Sequence, residues 1–274
     1  MTTRRDQWIA YAVLGAFSAL ALYPVLGILG LALHTKEDRV TGFALPTTFS
    51  LETFQKAWEQ GNFATGLWSS LIVAVAVTVV SVVLSIGTGY AFGTMRFPGD
   101  SAVFGLILIG LIFPYEATVI PLYYDLQAFD LVNTYWALIL PQIGLSIPFG
   151  TFWMRAFFRS TPRSLIEAAR VDGAGSFQIL VRVLLPQARP ALLTLSALIF
   201  MYTWNEFLLA LVMIHDQDKE TAPLGLSFFA TATRAGDPTA VAAAAVIVAL
   251  PVIVVYVLLQ RHFIRGITAG AVKE

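Results

Sequence analysis

The sequence predicts an all-α integral membrane protein with six spanning helices, and two observations lead to this fold class. Of its 274 residues, 57% are hydrophobic and only 12% are charged, whereas about 25% of a soluble globular chain is charged. The charged residues are also clustered, and they leave six long apolar stretches between them. Each stretch exceeds the roughly 20 residues that cross a bilayer, and lipid requires such segments to be helical.

The six stretches define the predicted spans. No Asp, Glu, Lys or Arg occurs in four of the stretches, 7–35, 60–95, 131–154 and 238–260, and the other two, 101–124 and 190–215, contain one acid each, Glu116 and Glu206. The spans are predicted at about 8–33, 67–93, 102–124, 135–157, 190–214 and 238–260. No internal repeat or low-complexity linker separates them, so residues 1–274 are predicted to form a single transmembrane domain.

The distribution of basic residues predicts that both termini lie on the inner side (N-in/C-in). In this orientation 12 of the 17 Lys and Arg residues fall on the inner side, six of them between residues 155 and 189. Inner loops of membrane proteins carry such an excess. A secretory signal is the alternative, because Arg4-Arg5 precede an apolar run that includes Ala19-Leu20-Ala21. The run continues through Leu33, which favours a retained first span.

The outer connection at 34–66 is predicted to contain one short surface helix. The apolar residues Phe54, Ala57 and Trp58 recur with helical spacing after Ser50. Ser50 is therefore the predicted N-cap of this helix.

The sequence lacks the residues that several functions require. The 17 basic and 17 acidic residues cancel, so no footprint for nucleic acid is predicted. Cysteine is absent and the three histidines, at positions 34, 215 and 262, are far apart, so no metal site is predicted. No lysine follows a glycine, which excludes the phosphate-binding loop of an ATPase.

The inner loop at about 162–189 carries the most informative pattern. Pro162 is followed by Ser164 and then Glu167, which predicts a capping box at the start of a helix. Leu165, Ala168, Ala169 and Asp172 fall on one face of that helix. Gly173 or Gly175 is predicted to supply its left-handed end.

A second short helix is predicted to follow, capped by Ser176 and ended by Pro186 and Pro190 before span five. The pair of alanines leaves room for another surface to approach the first helix closely. A loop with six arginines and two ordered helices is therefore predicted to be a docking element.

The spacing of this loop resembles a known family. Glu167-Ala168-Ala169 and Asp172-Gly173-Ala174, followed by Val183, Pro186 and Pro190, are similar to the "EAA" loop of permeases of ABC importers. The resemblance is strongest to the carbohydrate-uptake subfamily and its maltose-transporter-like second permease subunit. Further matches are Pro121-Leu122-Tyr123, Asn133-Thr134, Thr203-Trp204-Asn205-Glu206-Phe207 and the tail Gly266–Lys273. Leu180 and Gln187 depart from the usual pattern.

The resemblance implies a type I ABC-importer permease bundle with a cytoplasmic coupling helix, in a bacterial or archaeal plasma membrane. The partners that it implies are a second homologous permease, a cytoplasmic ATPase dimer, an extracytoplasmic solute-binding protein and the membrane lipid. ATP and Mg²⁺ would be used by the ATPase, and no cofactor is expected on this chain. The implied contacts to the ATPase are Glu167, Ala168, Ala169, Asp172, Gly173 and Ala174.

Candidate residues for the substrate path come from the acids within spans. Glu116 and Glu206 are expected to face a cavity or the bundle interior, because an ionisable group in lipid is costly. Trp204 and Asn205 beside Glu206 suit a sugar, which stacks on aromatic rings and binds amides. Helix packing is the alternative for all four residues.

Two other functional classes stay open from the residues alone. A stand-alone secondary transporter or channel could use the two acids, but such proteins usually contain inverted repeats and broken midplane helices. A membrane enzyme would need a cluster of catalytic side chains, and none is apparent. The favoured prediction is a permease that carries a carbohydrate, without indication of which sugar or polyol.

Overall fold

The computed structural model describes residues 4–35, 50–233 and 237–271, with side chains described as far as residue 260. Lys36, Arg39 and Arg234, which entered the prediction of orientation, lie outside the described residues, as do the side chains of the tail from Gly266. The helices are α1 (Arg4–Ala32), α2 (Glu52–Gln60), α3 (Phe63–Thr94), α4 (Asp100–Ile112), α5 (Val119–Ala128), α6 (Trp136–Ser160), α7 (Arg163–Val171), α8 (Ser176–Gln178), α9 (Leu185–Trp204), α10 (Leu208–Met213), α11 (Ala222–Thr233) and α12 (Pro238–Ala271).

The structure confirms the predicted fold class of an all-helical membrane protein. Within the described residues, five helices are long and apolar enough to cross a membrane, and a bent pair of helices makes a sixth candidate. The first, second, fourth and sixth predicted spans each coincide with one of these helices, within a few residues at either end.

The third predicted span, 102–124, is not one straight helix. It is broken between α4 and a 3₁₀ turn at Tyr115–Thr118, and the two halves meet at 89°. Phe113 is extended because it precedes Pro114, whose ring disfavours a helical conformation in the residue before it. Pro114 therefore interrupts the apolar stretch that was predicted to be one span.

The fifth predicted span, 190–214, is shifted along the chain. A continuous helical rod runs over Ser176–Trp204, in which a π-helical segment, Ile179–Leu184, joins α8 to α9. The prediction that Pro186 and Pro190 separate a surface helix from the span is therefore wrong. Pro186 lies in the first turn of α9, where its missing N–H is tolerated. The rod ends at Trp204, and α10 follows after a short break.

The chain divides into two compact units, and the first comprises Met1–Ala64 and Leu224–Leu250. Here α2 is fixed to the end of α1, because the Thr53 hydroxyl donates to the Ala32 carbonyl at 2.6 Å. The predicted helix after Ser50 is confirmed, although it is Leu51 that occupies the N-cap position. The Ser50 hydroxyl accepts from the Glu52 N–H at 3.2 Å and so still serves the first turn.

The second unit comprises Thr65–Pro223 and Pro251–Glu274, and α3 packs closely on α6 within it. A Cβ atom at Gly89 would lie 2.4 Å from the Met154 Cβ, and one at Gly150 would lie 1.9 Å from the Ser85 hydroxyl. Small residues allow this approach, which is how helices associate within lipid. The Thr88 and Thr151 hydroxyls are 2.7 Å apart across the same contact.

Candidate functional site

A cavity of about 560 Å³ lies within the second unit. The end of α4 and the turn after it form one wall, α6 forms another, and the last two turns of α9 with the following break form a third. The lining combines hydrogen-bonding side chains with aromatic rings: Tyr115, Gln142, Ser146, Thr203, Asn205 and Glu206 among the former, and Phe113, Phe149 and Tyr202 among the latter.

Glu206 connects two walls of this cavity. One carboxylate oxygen accepts from the Tyr115 hydroxyl at 3.2 Å, and the other accepts from the Leu209 N–H at 2.7 Å. Glu206 therefore satisfies a free N–H at the start of α10 and also fixes the turn that follows α4. Both functions are structural, and the carboxylate still borders the cavity.

The helix breaks on the two sides of Glu206 explain why backbone and polar groups gather here. α9 ends at Trp204, and the Asn205 side-chain amide donates to the Met201 carbonyl at 2.7 Å. On the other side, α4 ends before Pro114. Non-helical backbone at membrane depth is tolerated where it lines a cavity rather than lipid.

Gln142 and Ser146 form a polar pair on α6 that the sequence prediction missed. They are four residues apart and therefore lie on one face of the helix, which is the face that lines the cavity. Gln142 is buried. A signal was available, because an amide within an otherwise apolar span usually faces the interior of a bundle.

The structure brings only two of the four predicted path residues to this cavity, Asn205 and Glu206. Trp204 is 2% exposed and stacks on Phe200 with ring centroids 5.6 Å apart, so its ring packs between helices. Glu116 lies in the 3₁₀ turn with an exposed side chain and is not part of the lining. Its neighbour Tyr115 reaches the cavity instead.

The predicted coupling helix is present as α7, and its end has the predicted form. Gly173 has φ +78°, in the left-handed region that favours glycine. The Gly173 N–H donates to the Arg170 carbonyl at 3.0 Å, and the Ala174 N–H donates to the Ala169 carbonyl at 2.9 Å. These two bonds form a Schellman motif that closes the helix.

The predicted capping box at the start of α7 is wrong. Pro162 is the N-cap and makes no side-chain hydrogen bond, while Ser164 already lies inside the helix. The box cannot form because the helix starts one residue before Ser164. The predicted cap of the second helix is shifted in a similar way: Gly175 is the N-cap, and its N–H donates to the Gln178 side chain at 3.1 Å.

α7 has two chemically different faces. Arg163, Ile166, Glu167 and Arg170 follow the helical period and line a second, smaller cavity beside the inner ends of α3 and α6. The opposite face carries Leu165, Ala168, Val171 and Asp172, which are all exposed. Of the predicted coupling residues, Glu167 thus lies on the cavity side, whereas Ala168 and Asp172 lie on the open side, and Ala169 is half-buried between the two.

The open face presents apolar side chains that the described residues leave uncovered. Val171 is 88% exposed, and Phe177 at the start of the next helix is 77% exposed. Single exposed apolar residues are common, but here they adjoin small residues on a short ordered helix. The arrangement suits a surface that fits into a groove of another protein.

The described residues contain no group of three or more His, Asp or Glu side chains that could hold a metal ion.

Comparisons with known proteins point to one family. The profile of the family described as "Binding-protein-dependent transport system inner membrane component" matches residues 85–269. The chain is 35% identical to the probable ABC transporter permease protein YurM of Bacillus subtilis (strain 168), over 98% of this chain and 91% of that protein. It is 34% identical to the trehalose transport system permease protein SugB of Mycobacterium tuberculosis (strain CDC 1551 / Oshkosh), over 92% and 93%.

A solved structure is similar over nearly the whole length. It is a chain of a bacterial ABC transporter involved in the import of the acidic polysaccharide alginate. The TM-score is 0.78 and the identity 26%, covering 96% of this chain and 99% of that one.

Proposed function

The chain belongs to the binding-protein-dependent transport system inner membrane components, and we propose that the solute it passes across the membrane is a carbohydrate. It is a multi-pass inner-membrane permease subunit of an ABC importer and not the ATPase of that importer. A periplasmic binding protein and an ATPase complete such a system.

The lining of the 560 Å³ cavity is the observation that carries the carbohydrate proposal. A sugar offers many hydroxyls that both donate and accept, and it offers C–H faces that stack on rings. Gln142, Ser146 and Asn205 supply amides and a hydroxyl, while Phe149 and Tyr202 supply aromatic surface. Recognition sites for small molecules combine an apolar wall with a few placed polar groups in this way.

The charge of the lining favours a neutral carbohydrate. The lining contains Glu206 and no Lys or Arg. An acidic sugar would meet a carboxylate without a compensating base, and like charges in a desolvated site repel. We therefore infer a substrate class like that of the trehalose permease SugB, and not an acidic one like that of the alginate transporter.

We infer from the open face of α7 that a cytoplasmic ATPase subunit docks there. Ala168, Val171 and Asp172 are the residues that would enter a groove of a cytoplasmic ATPase subunit. A second homologous permease would complete the pathway, and two ATPase subunits would bind and hydrolyse ATP with Mg²⁺. No cofactor is assigned to this chain.

The continuous rod Ser176–Trp204 offers a path for coupling between the two sites. Its first residues follow the closed end of α7, and its last residues adjoin Asn205 and Glu206 at the cavity. At about 1.5 Å per residue, 29 residues span roughly 43 Å. A continuous helix of this length would carry a movement of α7 to the cavity wall when the ATPase dimer closes.

The test measures sugar uptake by the complete importer in proteoliposomes. Gln142→Leu preserves volume and removes the amide, so we expect about tenfold lower uptake of a neutral disaccharide, which is the effect of a lost hydrogen bond of about 1.4 kcal/mol. Gln127→Leu is the matched control, because Gln127 is exposed on α5 and outside the cavity. Unchanged uptake by the Gln142 variant would contradict a role for this cavity in the path.

Calorimetry on the cognate binding protein tests the substrate class separately. A panel of a neutral disaccharide, an amino sugar, a polyol and an acidic oligosaccharide should give binding by a neutral sugar. Binding of the acidic ligand alone would overturn the inference from the lining charge.

A further inference from the structure

A second cavity, of about 230 Å³, lies within the second unit at the inner ends of α3 and α6. Its other side is the inward face of α7. Its size is several times the roughly 30 Å³ of one water molecule, so it admits a group as large as a phosphate.

The charge of this cavity is strongly positive. Four arginines line it, Arg96, Arg159, Arg163 and Arg170, against a single acid, Glu167. The ion pairs found among the described residues are Lys56–Asp237 and Lys219–Asp216, so none of these arginines takes part in one. A concave surface with several unpaired guanidinium groups suits an anion, because each group offers a planar fork of donors.

The start of α7 adds a second source of positive potential. Pro162 provides no side-chain cap, and the first turn carries Arg163 and no acid. The free N–H groups at the start of a helix favour a negative charge. An anion bound beside Arg163 would therefore also be stabilised by the start of α7.

The position of the cavity indicates what kind of anion this is. α3 ends at Thr94 and α6 ends at Ser160, so the cavity lies where two spanning helices leave the apolar layer. Exposed apolar side chains continue to this level, including Met95 and Phe97, which are 39% and 37% exposed. Basic cavities between helices at this depth match the headgroup layer of an anionic leaflet.

We propose that the cavity binds the phosphate of an anionic phospholipid headgroup, and that the lipid holds α7 at the membrane surface. Phosphate in a lipid and free phosphate share the chemistry that the arginines recognise, and the location at the ends of two spans selects the lipid. The site is independent of the transported sugar, so its test does not depend on the proposed function.

The test uses the assembled importer in nanodiscs and measures retention of spin-labelled phosphatidylglycerol. The double variant Arg159→Gln/Arg163→Gln should bind this lipid about 25-fold more weakly, because each arginine near an anionic surface contributes about fivefold. The matched control is Arg182→Gln/Arg189→Gln, which removes two exposed arginines of the rod Ser176–Trp204 that do not line the cavity. This control should bind as the wild type does.

Three further measurements distinguish a specific lipid site from loss of folding and from binding of free phosphate. The variant Arg159→Lys/Arg163→Lys keeps the charge and should recover much of the binding, which separates loss of a site from loss of folding. Spin-labelled phosphatidylcholine should not be retained at the cavity. Inorganic phosphate should compete only weakly.

Equal loss of phosphatidylglycerol in the cavity variant and the control would overturn the proposal, because it would indicate general surface attraction. Tight binding of inorganic phosphate without lipid would overturn the assignment to a headgroup. Retained lipid together with loss of ATPase-subunit co-purification in the cavity variant would place the arginines in a protein interface instead.

Discussion

Glu206 is a single residue with two roles, since its carboxylate binds two donors and also borders the larger cavity. A substitution by leucine removes both hydrogen bonds and leaves the Leu209 N–H without a partner. Loss of uptake in that variant would therefore not distinguish a path residue from a structural one. Glutamine is the informative substitution, because its carbonyl oxygen accepts while its charge is absent.

For Glu206→Gln we expect the importer to assemble and to keep more than half of wild-type uptake of a neutral sugar. The reason is that Gln retains the acceptor for Leu209 N–H and can still bind hydroxyl groups. Uptake in proteoliposomes and co-purification of the ATPase subunit measure the two effects. Complete loss of uptake with normal assembly would show that the charge itself is needed in the path.

Asp237 shows a different kind of residue-scale stabilisation at the start of α12. It is 2% exposed, and its carboxylate binds the Lys56 side chain, the Thr239 hydroxyl at 2.6 Å and the Ala240 N–H at 3.1 Å. Burial raises the pKa of Asp237, but these hydrogen bonds and the Lys56 charge outweigh it and lower the pKa below 3.8. The Asp-Pro pair is a typical N-cap followed by proline at the first helical position.

Asp237→Asn should lower the midpoint of thermal unfolding in detergent by about 4–10 °C, since a hydrogen bond to a charged group contributes about 1.5–3 kcal/mol. The matched control Asp125→Asn removes an exposed acid of α5 and should have no effect. Because the folded-state pKa is depressed, the contribution is present above the ordinary pKa of 3.8 and is lost as the pH falls through the lower folded value. The difference between wild type and variant should therefore shrink in strong acid. An Asn variant as stable as wild type at neutral pH would contradict the role of the ion pair.

Packing of α3 on α6 is the clearest case at the scale of elements. The Gly150→Ala change adds a Cβ atom that would lie only 1.9 Å from the Ser85 hydroxyl. We expect a loss of about 1–3 kcal/mol of stability from overpacking, visible as a lower yield of folded protein in detergent. Gly144→Ala on the same helix is the control, because no atom lies within 4 Å of a Cβ there.

The contact can be examined further with a compensating change. Ser85→Gly, combined with Gly150→Ala, removes the opposing side chain and should restore part of the yield lost in Gly150→Ala alone. Additive effects of the two changes would show that the helices do not meet at this point.

The end of α7 provides a second test at this scale. A Cβ atom at Gly173 would meet no atom within 4 Å, so the strain expected in Gly173→Val arises from φ +78°, about 1–2 kcal/mol for a non-glycine residue. We expect the chain after α7 to be redirected, with reduced co-purification of the ATPase subunit and lower sugar uptake. Gly175→Val is the control in the same turn, because Gly175 has φ −72° and equally open surroundings. Equal behaviour of the two variants would contradict the need for a left-handed end.

Elements were predicted correctly from the sequence where the length of an apolar stretch or the conformational freedom of a glycine determines the structure. Four spans and the left-handed turn at Gly173 follow from such local signals. The extent of the rod Ser176–Trp204 was not predictable from prolines, because Pro186 falls in the first turn of α9 and Pro190 is accommodated inside the helix. The capping box failed for a related reason: a shift of one residue in the helix start moved Ser164 out of the capping position.

The larger cavity was only partly predictable, because it depends on contacts between residues that are distant in the sequence. Asn205 and Glu206 were found from the acid within a span, and Tyr115 lies next to the acid chosen in the third span. Trp204 illustrates the limit, since its ring direction is set by stacking on Phe200 one turn earlier. Gln142 and Ser146 have the spacing of one helix face, but they are uncharged and so do not interrupt the apolar span as an acid does.

At the scale of the whole molecule, the orientation in the membrane is the premise on which both inner-surface proposals depend. The excess of basic residues on one side predicts that α7 faces the cytoplasm, where an ATPase and an anionic leaflet are available. The reversed orientation would place the six arginines of residues 155–189 outside. Labelling of single cysteines tests this directly, because the chain has no native cysteine.

We expect Ser160→Cys to be protected from a membrane-impermeant thiol reagent in intact cells, and Asp218→Cys to react. Both side chains are exposed, so protection at Ser160 would come from the membrane and not from the fold. The control is the same pair in inside-out vesicles, where Ser160→Cys should react and Asp218→Cys should be protected. Reaction at Ser160→Cys in intact cells, with protection at Asp218→Cys, would place α7 on the outer surface. That outcome would remove the basis for docking to an ATPase, because ATP is hydrolysed inside the cell.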